Sequence, residues 1–106
     1  MKRIRPMRDW DARSFGDRLD SARRRLARLM PAASPSMVSA TAPLLLGEVE
    51  QARRILVSSG VEPPDDPMSM VDLPQALGLA VSLGNGAARQ PILAFKAKRR
   101  VDEQEI

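Results

Sequence analysis

An all-α fold is predicted for this chain from three observations. Two stretches repeat apolar residues at helical spacing, and each is fenced by residues that start and stop helices. The third is composition: 43% hydrophobic and 28% charged residues is a globular balance. At 106 residues the chain fits one small domain. The expected organisation is a basic arm over residues 1–13, a small three-helix domain over 14–97, and a flexible charged tail over 98–106.

Residues 1–13 show no clear periodicity. Ser14 then supplies an N-cap, with Asp17 placed for a capping box and for the positive helix end. Phe15, Leu19, Ala22, Leu26 and Leu29 follow at 4-3-4-3 spacing, which sets them on one face of a helix over 15–30. Asp20 can pair with Arg23 and Arg24, and Pro31 ends the run. Residues 31–40, with two prolines and three serines, are expected to be loop.

Thr41 is expected to cap a second helix over 43–59, with Pro43 in its first turn. Leu45, Val49, Ala52 and Leu56 repeat the stripe, Leu46 and Ile55 broaden it, and Glu50 can pair with Arg53 and Arg54. Gly60 can take the positive φ of a C-terminal stop. Residues 61–67 read as an extended acidic linker. Asp72 can cap a third helix, with Pro74 in its first turn and Leu73, Leu77, Ala80 and Val81 on one side. Gly84-Asn85-Gly86 should stop it near Leu83, while Gly78 costs about 1 kcal/mol relative to Ala mid-helix.

Residues 92–97 fit either a strand or a helix start. The runner-up fold is therefore α+β, with a hairpin turning at Gly84–Gly86 and joining Leu79–Leu83 to Ile92–Ala97, although Pro91 suits a strand poorly.

The absences exclude more than the presences assign. There is no cysteine, no histidine and no tyrosine. Disulfides and thiolate metal ligands are excluded, and the commonest general acid–base residue is missing. A serine nucleophile needs a nearby base, and the lysines lie only at positions 2, 96 and 98, in ends expected to be flexible. Asp65-Asp66 lacks the alternating oxygen ligands of a calcium loop, and a solvated linker accounts for it better. Gly84-Asn85-Gly86 has no following Gly-Lys-Ser/Thr, so a turn accounts for it. Pro64-Asp65-Asp66-Pro67 is a stiff spacer before it is a ligand motif, and Met68 and Met70 are expected to pack on the third helix. No catalysis, cofactor, metal or small-molecule ligand is expected. Residues 1–5 resemble the charged head of a signal peptide, but Pro6–Arg13 is polar where an apolar region is required. The longest apolar stretch, Ala42–Gly47, falls far short of the roughly 20 residues that span a bilayer. A cytoplasmic location is the expectation.

Trp10, Phe15 and Phe95 are the only aromatics, so the core must be thin, and a small domain with a thin core gains from self-association or a partner. Ordering the first helix costs more than its stripe returns, so that stripe must be covered. The expected function is a non-enzymatic protein–protein interaction or adaptor module, with Phe15, Leu19, Leu26 and Leu29 at a helix interface. The alternative is an accessory nucleic-acid binder. Residues 1–30 carry ten basic and four acidic side chains, and Arg3, Arg5, Arg8, Arg18, Arg24, Arg25 and Arg28 are its candidate phosphate contacts. Against it stand the lack of a helix-turn-helix spacing and of aromatic stacking platforms. Arginine also outnumbers lysine fourteen to three in an alanine-rich chain, so part of the excess reads as compositional bias.

Overall fold

A computed structural model describes residues 9–85 and 92–104. Among these residues there are five α-helices, one 3₁₀ turn and no strand. The helices are α1 (Asp9–Ala12), α2 (Phe15–Leu29), α3 (Pro35–Ser58), α4 (Leu73–Asn85) and α5 (Ile92–Gln104), with the 3₁₀ turn at Pro67–Met70 between α3 and α4. The three-helix expectation is thus too few. The all-α class holds, and the α+β runner-up fails because both arms of its hairpin lie in helices; Gly86 at its tip is outside the described residues.

The start of α2 follows from Ser14, whose hydroxyl accepts from the Asp17 N–H at 3.2 Å. Ala22 and Leu26 are fully buried, with Leu19 and Leu29 half-buried beside them. They pack on α3, the 24-residue helix against which α2, α4 and α5 all lie. At about 36 Å, α3 is long enough to serve as the shared wall. Leu45, Leu46, Val49, Ala52 and Leu56 form its core side, as the second stripe requires.

The expected loop over 31–40 and the Thr41 cap both need correcting. Ser34 is the cap, its hydroxyl accepting from the Met37 N–H at 3.1 Å, and Pro35 occupies the first helical position. Residues 35–40 are therefore helical. Thr41 is buried inside α3 and donates its hydroxyl back to the Met37 carbonyl at 2.7 Å. Pro43 sits well inside the helix instead of in its first turn. Its ring faces solvent, and burial of Thr41 and Ala42 beside it offsets the lost hydrogen bond. Gly60 does stop α3, at φ 77°, with the Val61 N–H reaching the Leu56 carbonyl at 2.9 Å in a Schellman closure.

The segment after α3 is no free spacer. Pro63, Pro67 and Met68 are buried, and the 3₁₀ turn packs on α2 and α3. An Asp66 carboxylate oxygen caps that turn by accepting from the Met68 N–H at 3.1 Å. Asp72 and Gln75 then cap α4 reciprocally: the Gln75 N–H donates to Asp72 Oδ1 at 3.1 Å, and the Asp72 N–H donates to Gln75 Oε1 at 2.8 Å.

Helices extend past both bounds of the expected domain, α1 before residue 14 and α5 beyond residue 97. Leu93, Ala97 and Val101 are buried at four-residue spacing, which makes 92–97 helical and carries α5 through most of the expected tail. At the other end Trp10, expected in a basic arm, is only 2% exposed. Its indole N–H donates to Glu50 Oε1 at 3.0 Å, and its carbonyl accepts from Arg18 Nε at 3.1 Å. Asp11 completes the attachment through Arg53 at 2.9 Å.

Candidate functional site

The four residues expected at a helix interface divide. Leu26 is wholly covered by the chain's own core, and Leu19 and Leu29 are half-buried against it. Phe15 is 68% exposed at the start of α2. The stripe thus finds most of its shelter within the fold.

Besides Phe15 on α2 and Val57 on α3, the exposed large apolar side chains among the described residues all lie on α4. On α4 the inward side is Gln75, Ala76 and Leu79. Leu73, Leu77 and Val81, one helical turn apart, point outward and are 42%, 47% and 57% exposed. The stripe read from the sequence of α4 is therefore mainly its outer face. Between positions 73 and 85 there is no charged side chain at all. A helix apolar all round is normally covered on every side, yet here only one side is covered. A row of small residues runs beside the exposed ridge: Gly78 and Ser82 follow Pro74 at four-residue intervals, and a Cβ at Gly78 would meet nothing within 4 Å.

Asp72 anchors the near end of this face. Burial alone pushes its carboxyl up, but the Gln75 N–H, the Lys96 ammonium at 3.1 Å and its own amide outweigh that and hold it below the ordinary value.

The arginines proposed for phosphate contact separate as well. Arg3, Arg5 and Arg8 lie outside the described residues. Arg18 holds the carbonyls of Trp10 and Asp11 and the Glu50 carboxylate. Arg25 donates to the Val71 carbonyl at 2.6 Å, tying α2 to the entry of α4. These two build the fold. Arg24 and Arg28 are exposed and, with Arg13 and Arg25, line a cleft of about 420 Å³. Its other charged lining is Asp9, Asp65 and Asp66, so an anion entering would meet carboxylates beside the guanidinium groups. Among the described residues no three carboxylates gather in a metal-holding group, and no helix is long and apolar enough to cross a membrane.

Sequence reasoning recognised α4 as a helix but did not single out its outer face. The signal was present in the run of thirteen residues without a charge. In comparisons with known proteins, no family model, curated protein or solved structure matches this chain.

Proposed function

We propose that this chain is a non-enzymatic protein–protein interaction module that docks through the outer face of α4. The single observation that carries this is the solvent-facing ridge of Leu73, Leu77 and Val81 on a helix with no charge. Contiguous exposed apolar surface costs free energy and is normally covered by a partner. Withdrawing the exposed fractions of these three side chains from water contributes about 2–4 kcal/mol from this chain's side. That sustains docking onto a matching apolar surface, and a transient complex more readily than a permanent one. A cytoplasmic setting suits this role, since a chain without cysteine needs no oxidising compartment.

Site-specific photo-crosslinking tests the proposal. The full chain carries benzoylphenylalanine at Val81 in one version and at exposed Arg54 in another, and is irradiated in cells that express it. Adducts formed from position 81 and absent from position 54 support docking at α4. Equal yields from both positions, or none from either, overturn it.

A second reading is favoured by the cleft beside Arg24 and Arg28: weak nucleic-acid binding, by electrostatic contact to phosphates. Two of the seven arginines first proposed are committed to internal bonds, and carboxylates share the cleft. A binder using even six phosphate contacts loses about a thousandfold in affinity between roughly 50 and 200 mM salt. Absence of binding to DNA and RNA at low salt removes this reading.

A further inference from the structure

Resting on the same cleft as the nucleic-acid reading, and not on docking at α4, we infer that the cleft is a binding site for one compact phosphate group, held by Arg13, Arg24 and Arg28.

The sequence places the charges. Ser21, Arg24, Arg25 and Arg28 recur at three- and four-residue steps, so they share one face of α2. All four line the cleft, and Arg13 joins them from the turn between α1 and α2. Four guanidinium groups thus border one opening.

The hydrogen bonds hold these cations together without neutralising them. Arg13 Nη1 and Arg24 Nη2 both donate to the Ser21 hydroxyl, at 2.9 and 3.4 Å. That hydroxyl donates its own proton to the Asp17 carbonyl at 3.2 Å, which leaves its lone pairs to the two arginines. Two like charges are therefore drawn onto one neutral oxygen. Elsewhere on α2, Arg18 pairs with Glu50 and Arg23 with Asp20. Among the described residues no ion pair joins Arg13, Arg24 or Arg28 to a carboxylate. Arg25 is fixed through one nitrogen on the Val71 carbonyl, and its Nε–H is buried without an acceptor. Clustered guanidinium groups with unspent N–H donors repel one another until an oxyanion sits among them.

The arrangement selects the anion. The donors come from two successive turns of α2 and from the α1–α2 turn. A carboxylate offers two oxygens in one plane, whereas a phosphate offers its oxygens tetrahedrally and can accept from several guanidinium forks at once. The carboxylates of the cleft come from other elements, Asp9 from α1 and Asp65 and Asp66 from the segment entering the 3₁₀ turn. They set its limit. One phosphate can lie against α2, but the next phosphate of a polymer meets like charge. A cleft of about 420 Å³ is in the size range of small-ligand sites.

The fluorescence of Trp10 tests this. It is the only tryptophan and lines the cleft, with the Arg13 guanidinium carbon 5.7 Å from its ring centroid. A ligand that draws Arg13 away changes its emission. The full chain is titrated at neutral pH and constant ionic strength with inorganic phosphate, with acetate, and with an oligonucleotide lacking terminal phosphates. Phosphate should give a saturating change, half complete on the order of 1 mM, and acetate none. Arg24→Ala and Arg28→Ala should each weaken binding at least about tenfold, the loss of one charge-assisted hydrogen bond. Both side chains are exposed, so helicity by circular dichroism should be retained. Asp9→Asn should tighten binding, a direction that damage to the fold does not produce, and Arg54→Ala on α3 should leave it unchanged.

An equal response to acetate, unaltered affinity in both arginine variants, or no saturation up to about 20 mM phosphate overturns the inference. The oligonucleotide separates this failure from failure of the nucleic-acid reading. Phosphate saturation with no oligonucleotide binding supports the compact ligand and removes nucleic acid. Displacement of phosphate by the oligonucleotide at low salt, or oligonucleotide binding alone, overturns the compact ligand and leaves nucleic acid as the source of the phosphate. No binding of either sinks both.

Discussion

Replacing Trp10 by alanine should remove about a fifth or more of the folding stability, although the sequence places this residue in a basic arm. The side chain is 2% exposed, with the guanidinium carbons of Arg13 and Arg18 at 5.7 and 5.9 Å from its ring centroid. Truncating a buried tryptophan to alanine costs about 3–5 kcal/mol. Small domains are stable by only about 5–15 kcal/mol in total. At about 4–8 °C per kcal/mol for a domain near this size, the midpoint of thermal unfolding should fall by at least about 12 °C. Trp10→Phe separates packing from polarity. It keeps most of the ring but withdraws the N–H from Glu50, and should cost about 1–2 kcal/mol beyond the packing change. Urea and thermal unfolding followed by far-UV circular dichroism measure both variants on the full chain. A Trp10→Ala protein within about 0.5 kcal/mol of wild type, the usual range for an inconsequential surface change, would refute the docking of α1 onto α2 and α3.

Two further substitutions test the capping and helix assignments. Asp72→Ala should cost about 0.5–2 kcal/mol at neutral pH by removing half of the reciprocal cap at the start of α4. Because folding lowers the Asp72 pKa, its ionised form contributes stability above the unfolded value near 3.9, and that contribution is lost as pH falls through the lower folded value. The gap between wild type and Asp72→Ala in urea midpoints should therefore narrow between about pH 5 and pH 2, and a constant gap contradicts the assignment. Pro43→Ala should raise stability by about 1–2 kcal/mol. Proline inside a helix is disfavoured by about 3 kcal/mol relative to alanine, partly offset by its stiffening of the unfolded chain. A lower unfolding midpoint for Pro43→Ala would place Pro43 at a helix start after all.

What the sequence discloses here depends on whether a local signal has competition. Ser14, Gly60 and Asp72 are each isolated boundary residues, and each acts as its chemistry demands. Ser34-Pro35 and Thr41-Ala42-Pro43 are two start signals seven residues apart, and spacing alone does not rank them. The first prevails because Thr41 and Ala42 are needed in the core. In α5 the spacing of Leu93, Ala97 and Val101 was present all along, but the basic run around them reads as tail. The helix α1 is four residues long, too short for any period, and only Trp10 hints at it. For α4 the difficulty is of another kind. A period picks out the buried side only when the other side is polar, and here both sides are apolar. The interface residues expected on α2 form a genuine stripe, and α3 already covers most of it.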